Sequence, residues 1–305
     1  MSRYDLTGRT VLVTGAARGI GEHTARAVAQ RGARVALVGL EPDRLAALAE
    51  ELGPAHAWFE ADVTDQAAID AAVSGAVAAL GGVDVVVANA GVANNNTVAV
   101  SPVEVVVRTI DVNLVGVVRT VSAALPHVIA RRGYVCIVAS AASFTVLPGM
   151  AAYSASKAGV EAFGNALRLE VAHKGVRVGT VHPSWIDTDL VRDQKAESPT
   201  FNQMLRELPW PMGQTTSVDE CVTAIVNGIE RRRRKVFVPR EVALVSALRS
   251  VVLGPVGSFA TQLRARKAVP ELEAEARVER WFGSSSAGLA GRDPRAAVGH
   301  EERVA

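Results

Sequence analysis

Apolar residues recur along most of this chain at two alternating periods. Thr10–Thr14 (TVLVT) and Arg34–Gly39 (RVALVG) are short, almost continuous apolar runs, as are residues 56–61, 83–88 (VDVVVA), 134–139, 176–181 and 236–238. Runs of that length bounded by turn residues predict strands, and strands so uniformly apolar are covered on both faces. Between them, helical spacing appears after the first run to about residue 31, over Pro42–Leu52, and over 65–80, 102–132, 153–173 and 217–230. Pro42 suits a helix start, and Ser217 with Glu220 three residues on reads as a capping box. Strand and helix in strict alternation predict a parallel, doubly wound α/β sheet between two helical layers. Residues 189–213 carry several prolines and predict an irregular loop over a site. No internal repeat is visible. From Gly283 onward the composition turns small and polar, which predicts a disordered tail over 283–305.

The chain has 305 residues, 49% hydrophobic and 21% charged, enough for one large or two ordinary globular domains. A net charge of +2 gives no overall field that calls for nucleic acid. Cys136 and Cys221 stand in apolar stretches, as core thiols of a reducing, cytoplasmic compartment and not as a disulfide framework. The first residues lack the apolar region of a secretory signal. The apolar stretch 242–259 is interrupted by Arg249, Gly254 and Pro255 and is a poor membrane span.

Two motifs carry chemistry. Tyr153 and Lys157 stand four apart in a helical segment and so share one face. An ammonium beside a phenol favours the phenolate and lowers its pKa, which suits proton exchange with a substrate oxygen near neutral pH. The first strand runs into Gly15-Ala-Ala-Arg18-Gly19-Ile20-Gly21 and then a helix. Glycines admit a ligand close to the backbone, and a helix N-terminus offers free N–H groups to a pyrophosphate. The same pattern also fits a plain tight turn.

With Thr14, Asp62, Asn89-Ala90-Gly91, Asn113 and Ser140 added in order, the set resembles the short-chain dehydrogenase/reductase family from about residue 6 to residue 240. The resemblance implies a Rossmann-like NAD(P)-binding domain over 1–240 with a seven-stranded sheet, and the residues left over beyond that core predict a helical extension over 241–282. It implies hydride transfer between nicotinamide and a ketone or secondary alcohol. Tyr153 would be the general acid/base, Lys157 its pKa-lowering and ribose-holding partner, Ser140 the donor to the reacting oxygen, and Asn113 the support of a proton relay. Gly15, Arg18, Gly19, Ile20, Gly21, Gly39 and Leu40 would hold the cofactor. So would Asp62, Val63, Asn89, Ala90, Gly91, Pro183, Ile186 and Thr188, with Tyr153 and Lys157. Blander roles stay open: a strand-end hydroxyl for Ser140, a helix-kink tie for Asn113, a turn or cap for Asp62.

The chain departs from the family's usual Pro-Gly at Pro183-Ser184, which puts the local geometry in question because serine adopts positive φ less freely. Gly39 and Leu40 occupy the positions where NAD-selective relatives carry an acid and NADP-selective ones a base, and they offer neither. Glu41 would repel a 2′-phosphate, which leans the expectation to NAD over NADP. No metal is called for. Trp185, Leu190, Met204 and Leu208 are candidate substrate walls and suggest an apolar substrate. Apolar residues on several faces of the 153–171 helix suggest a homodimer or homotetramer. The cations Arg231–Lys235 and Arg264 to Lys267 flank the apolar 242–259 stretch. That arrangement fits either peripheral contact with anionic lipid, or packing of the extension over the substrate loop with a last helix over 271–281. A catalytically silent nucleotide-binding scaffold is the competing function, but such proteins lose the tyrosine or lysine retained here.

Overall fold

The computed structural model describes residues 3–276. The tail expected at 283–305, and residues 277–281 of the expected last helix, lie outside the described residues. Seven parallel strands form one sheet: β1 (Thr10–Thr14), β2 (Arg34–Gly39), β3 (Ala57–Glu60), β4 (Val85–Ala88), β5 (Tyr134–Val138), β6 (Arg177–Pro183) and β9 (Lys235–Val238). Their spatial order is β3-β2-β1-β4-β5-β6-β9. The order reverses between β1 and β4, which pair Val11 with Val85 and Val13 with Val87. Open α/β sheets bind ligands beyond the strand C-termini at such a reversal.

Successive strand residues face opposite layers. Val11, Val13, Val85 and Val87 pack with α1 (Gly19–Ala29), α2 (Pro42–Leu52) and α9 (Val218–Glu230). Leu12, Val86 and Ile137 pack on the other face with α3 (Gln66–Leu80), α5 (Gly116–Ala130) and α6 (Ala151–Glu170). The strand period of two thus serves two cores at once. Both cysteines are buried and free, and burial pushes each thiol up to about 12. Asp65 caps α3 by accepting from the backbone N–H groups of Ala67 and Ala68, and Ser217 caps α9 by accepting from that of Glu220.

One expectation is refined and two need correcting. The long helix at 102–132 is α4 (Val103–Ile110) and α5 joined by a π-helical turn, Asp111–Val115. A π-turn keeps the helical sequence pattern while shifting its register, so periodicity alone cannot show it. This α4–α5 helix, not 242–259, is the apolar segment long enough to cross a membrane by length and composition, and it is nearly half buried against the protein. The segment 189–213 is not an irregular loop. It holds α7 (Asp189–Glu197) and α8 (Pro199–Arg206), followed by a short strand, β8 (Thr215–Thr216), that pairs with β7 (Trp185–Ile186). Its prolines sit at helix boundaries: Pro199 opens α8 after the Ser198 cap, and Pro209 follows its end.

The second correction concerns the extension. The run Arg231–Lys235 leads from the C-cap of α9 through a turn into β9, with Arg231, Arg233 and Arg234 exposed. Arg232 adopts a φ of 47°, and its guanidinium donates to the carbonyls of Arg132, Gly133 and Gly175. Lys235 pairs with buried Glu161 at 2.6 Å. Beyond it come α10 (Val242–Ala247), α11 (Arg249–Val252) and α12 (Pro255–Glu275). So α12 begins well before the expected residue 271. It is tied down at its end: Glu275 accepts from Ser198 and Thr200, and Glu273 accepts from Thr97. Of the surplus apolar residues on α6, Val160 and Leu167 are buried, while Ala155, Ala158, Ala162 and Leu169 stay exposed.

Candidate active site

Two neighbouring cavities open at the C-terminal ends of the strands. The first, about 200 Å³, is built on glycine backbone. Gly15 has a φ of +65°, and a Cβ there would lie 2.9 Å from the Cα of Ala90. Gly21 does not line the cavity; it lets α1 close on the turn, since a Cβ there would sit 2.1 Å from the Gly15 carbonyl oxygen. The Asn89 amide donates to the Thr14 carbonyl at 3.0 Å, and the Thr14 hydroxyl accepts from the Asn89 N–H at 3.1 Å. These bonds fix β1 against β4 at the reversal. Every other residue expected to hold the cofactor borders this cavity.

Asp62 serves as both turn and wall. Its carboxylate accepts from the backbone N–H and hydroxyl of Thr64 and from Arg108, each at 2.8 Å. Burial would raise its pKa, but these donors outweigh it and hold the carboxyl below its usual range. Arg18 and Glu41 face each other across the mouth in a two-pronged ion pair, with Nε donating to Oε2 at 2.8 Å and Nη2 to Oε1. Glu41 holds the Arg18 pKa above its ordinary value. Ser184 has no positive φ and takes a 2.7 Å backbone bond from its N–H to the Val238 carbonyl, so the missing glycine leaves no strain.

The second cavity, about 430 Å³, is mostly apolar. Trp185, Leu190, Met204 and Leu208 all line it, as expected. Trp185 also packs edge-on against Phe201, with ring centroids 5.5 Å apart, so its packing and wall roles coincide. The far wall was not expected in detail: Leu244, Val245, Leu248 and Val252 from α10 and α11, and Thr261, Arg264, Ala265 and Ala268 from α12. No motif marks such a wall, because any apolar side chain serves. In the nearer wall, Ser184 Oγ, Trp185 Nε1 and Gln194 Nε2 are buried without a hydrogen-bond partner. That is uncommon in native interiors.

Tyr153 borders both cavities. Ser140 borders only the apolar one and Lys157 only the glycine-lined one. Helix α6 carries Tyr153 and Lys157 on one face, and Ser140 follows β5. The Ser140 hydroxyl accepts from the Ala142 N–H at 3.1 Å and donates to the Pro183 carbonyl at 3.4 Å. Behind it, buried His182 touches the Ser140 carbonyl with Nδ1 at 3.3 Å and Thr180 with Nε2 at 2.9 Å, and stacks on Phe237. Burial brings that imidazole's pKa down to about 4, so it is neutral.

The electrostatics depart from the sequence expectation. Tyr153 is held above its ordinary pKa by burial; the influence that lowers it is a hydrogen bond with Ser140, not Lys157. The Lys157 ammonium donates to the Val138 carbonyl at 3.0 Å and lies 5.6 Å from the centre of the Tyr153 ring. Burial lowers its own pKa to about 8. Asn113 sits in the π-turn and is fully buried. Its side chain accepts from the Val92 N–H and donates to the Val92 carbonyl, both at 2.8 Å, and so holds the loop after Gly91. Both a structural tie and a place beside Lys157 are met, since the site of an added Gly91 Cβ is 3.1 Å from Asn113 Oδ1 and 3.6 Å from Lys157 Nζ. Among the described residues no cluster of three His, Cys, Asp or Glu side chains could hold a metal.

Known proteins resemble this chain over much of its length. The family model for short chain dehydrogenases matches residues 9–199. An uncharacterized oxidoreductase of Myxococcus xanthus is 34% identical over 256 residues, covering 83% of this chain and 96% of that protein. A (-)-trans-carveol dehydrogenase of Rhodococcus erythropolis is 32% identical, covering 72% of this chain and 91% of its own. A glycine betaine reductase of Emericella nidulans is 40% identical over 190 residues, but this chain spans only 15% of that much longer protein.

Proposed function

The chain belongs to the short-chain dehydrogenase/reductase family and is an oxidoreductase, and from that premise we propose that it interconverts an apolar ketone and its secondary alcohol with a nicotinamide dinucleotide. The observation that carries this reading is the position of Tyr153 on the border of both cavities, with Lys157 on one side and Ser140 on the other. The glycine-lined cavity fits the dinucleotide, because Gly15, Gly19, Gly39 and Gly91 present backbone without side chains along its wall. Gly15, Gly19 and the start of α1 would hold the pyrophosphate, Asp62 and Val63 the adenine side, and Ile186, Thr188 and Lys157 the nicotinamide side. When bound, that group supplies or accepts the hydride.

In the reducing direction Tyr153 gives its phenolic proton to the carbonyl oxygen while the Ser140 hydroxyl holds that oxygen. A pKa raised by burial keeps Tyr153 protonated at neutral pH, as a proton donor must be. In the oxidising direction the same phenol must first lose its proton, so that rate rises with pH. Lys157, with a pKa near 8, carries positive charge at pH 7 and favours the phenolate once it forms. Asn113 positions the loop beside it. The Arg18–Glu41 pair leans the reading to NAD, because the guanidinium that would meet a 2′-phosphate is already neutralised. The relative named as a carveol dehydrogenase supports an alcohol and ketone couple.

The test is a screen of apolar ketones with NADH and NADPH, and of secondary alcohols with the oxidised forms, following the absorbance of the reduced nicotinamide. Turnover of at least one such pair is expected. Failure across the panel with both cofactors, for protein shown to bind nucleotide, would sink the reading.

A further inference from the structure

The apolar cavity has one charged position that its chemistry does not explain. Along α12, Thr261, Arg264, Ala265 and Ala268 recur every three to four residues and form the face turned to the cavity. Three of them are small. Arg264 stands in their stripe and is the single basic side chain in the cavity lining; the single acidic one, Glu207, already accepts from Gln203 at 3.0 Å. Among the described residues Arg264 makes no ion pair and no side-chain hydrogen bond, although Arg9, Arg18, Arg26, Arg31, Arg108 and Arg119 all do. It is solvent-exposed, so its charge lies at the rim and not in the depth. Arg266 and Lys267 follow it on the same helix and add to the local positive potential.

The cavity between that rim and Tyr153 is large. At about 430 Å³ it is close to three times the ~150 Å³ cavity that takes up one benzene, giving room for roughly sixteen to eighteen non-hydrogen atoms. A small ketone would leave most of it empty. An apolar body with an anion at its far end would fill it and meet the free guanidinium.

We infer that the substrate is an amphiphile, a carbonyl or secondary alcohol on an apolar chain or ring system that ends in a carboxylate or phosphate recognised by Arg264. This rests on the oxidoreductase reading for the reacting end and goes beyond it for the other. The exposed position of Arg264 limits the expected preference to about fivefold, the upper range of an exposed ion pair. The preference must shrink with salt.

The experiment titrates three probes into the protein by quenching of Trp185 and Trp210, which both line the cavity. The probes are a methyl ketone of about ten carbons with a terminal carboxylate, its methyl ester, and the matching phosphate monoester. The acid or the phosphate is expected to bind about fivefold tighter than the ester at low ionic strength, with the gap closing near 0.5 M salt. The comparison of the two anions separates carboxylate from phosphate. In Arg264→Ala the preference is expected to vanish, and in Arg264→Lys to persist in part. An ester that binds as tightly as both anions, or a preference that survives in Arg264→Ala, overturns the inference. That result together with Tyr153-dependent turnover of a neutral ketone would leave the proposed function standing. Arg264-dependent binding of an anion without turnover of any probe would do the reverse.

Discussion

The two cavities that meet at Tyr153 are built by opposite rules. The cavity proposed for the nucleotide is backbone: glycines at Gly15 and Gly21 where no Cβ fits, and side chains such as Asn89 and Thr14 spent on holding strands together. The cavity proposed for the substrate is apolar side chain, supplied by α7, α8 and the three extension helices, with Trp210, Leu244 and Leu248 half exposed. The first tolerates almost no change of shape, because close approach of two backbones is decided in tenths of an ångström. The second accepts many apolar residues of about the right size. In the proposed function, one fold keeps a fixed cofactor seat beside a wall that can vary.

The sharpest way to break this comparison is to enlarge one small residue on each side. Gly21→Val places methyl groups where even a Cβ would overlap the Gly15 carbonyl. We expect a loss of at least a hundredfold in nucleotide affinity and about 3 kcal/mol or more of stability. Ala268→Val, in the substrate wall, should leave nucleotide affinity within twofold and cost under about 1 kcal/mol. Isothermal titration and thermal melts would read both; equal losses in the two variants would erase the distinction.

Lys157 tests whether the chemical side of the boundary is held at the expense of stability. Its pKa falls from the ordinary 10.5 to about 8 on burial, which corresponds to an unfavourable term on the order of 3 kcal/mol at pH 7. The sign follows from proton binding. Between about pH 8 and pH 10.5 the unfolded chain holds a proton that the folded protein does not, so stability rises with pH across that window. Below it the penalty is fully present. Lys157→Met removes the charge but strands the Val138 carbonyl, a loss of about 1 kcal/mol. The variant should therefore be about 2 kcal/mol more stable at pH 7 in denaturant titration, with the gap narrowing toward pH 10. A less stable variant at pH 7 would contradict the burial penalty.

A smaller effect is expected at the mouth of the nucleotide side. Glu41→Gln releases Arg18 from its ion pair. The ratio of NADPH to NADH affinity should rise about fivefold, in keeping with one charge-assisted contact in a partly exposed place. An unchanged ratio would mean that the pair does not set the choice.

The same contrast explains what was legible in the sequence. Glycine spacing and the Tyr153 and Lys157 pair were legible because the chemistry proposed for them demands particular residue types at particular positions, Ser140 and Asn113 only through the family resemblance, and strand periodicity placed all seven sheet strands. The extension wall was not legible, because Leu244, Leu248 and Ala268 could have packed on anything. The π-turn at Asp111–Val115 hid inside a helical pattern. Residues 189–213 read as a loop because their prolines mark helix starts as well as breaks. The pKa of Tyr153 was misjudged for a different reason: spacing puts Lys157 on the same face, but only the structure shows that burial raises the phenol's pKa and that the opposing influence is the Ser140 hydrogen bond.

The central claim is that Tyr153 moves the proton at the meeting point of the two cavities. The direct measurement is turnover of the best substrate by Tyr153→Phe, together with titration of the reduced nucleotide into the same protein. The account predicts that turnover falls at least a hundredfold while nucleotide affinity stays within threefold and the fold is unchanged by circular dichroism. A Tyr153→Phe protein that turns over at the wild-type rate would contradict it.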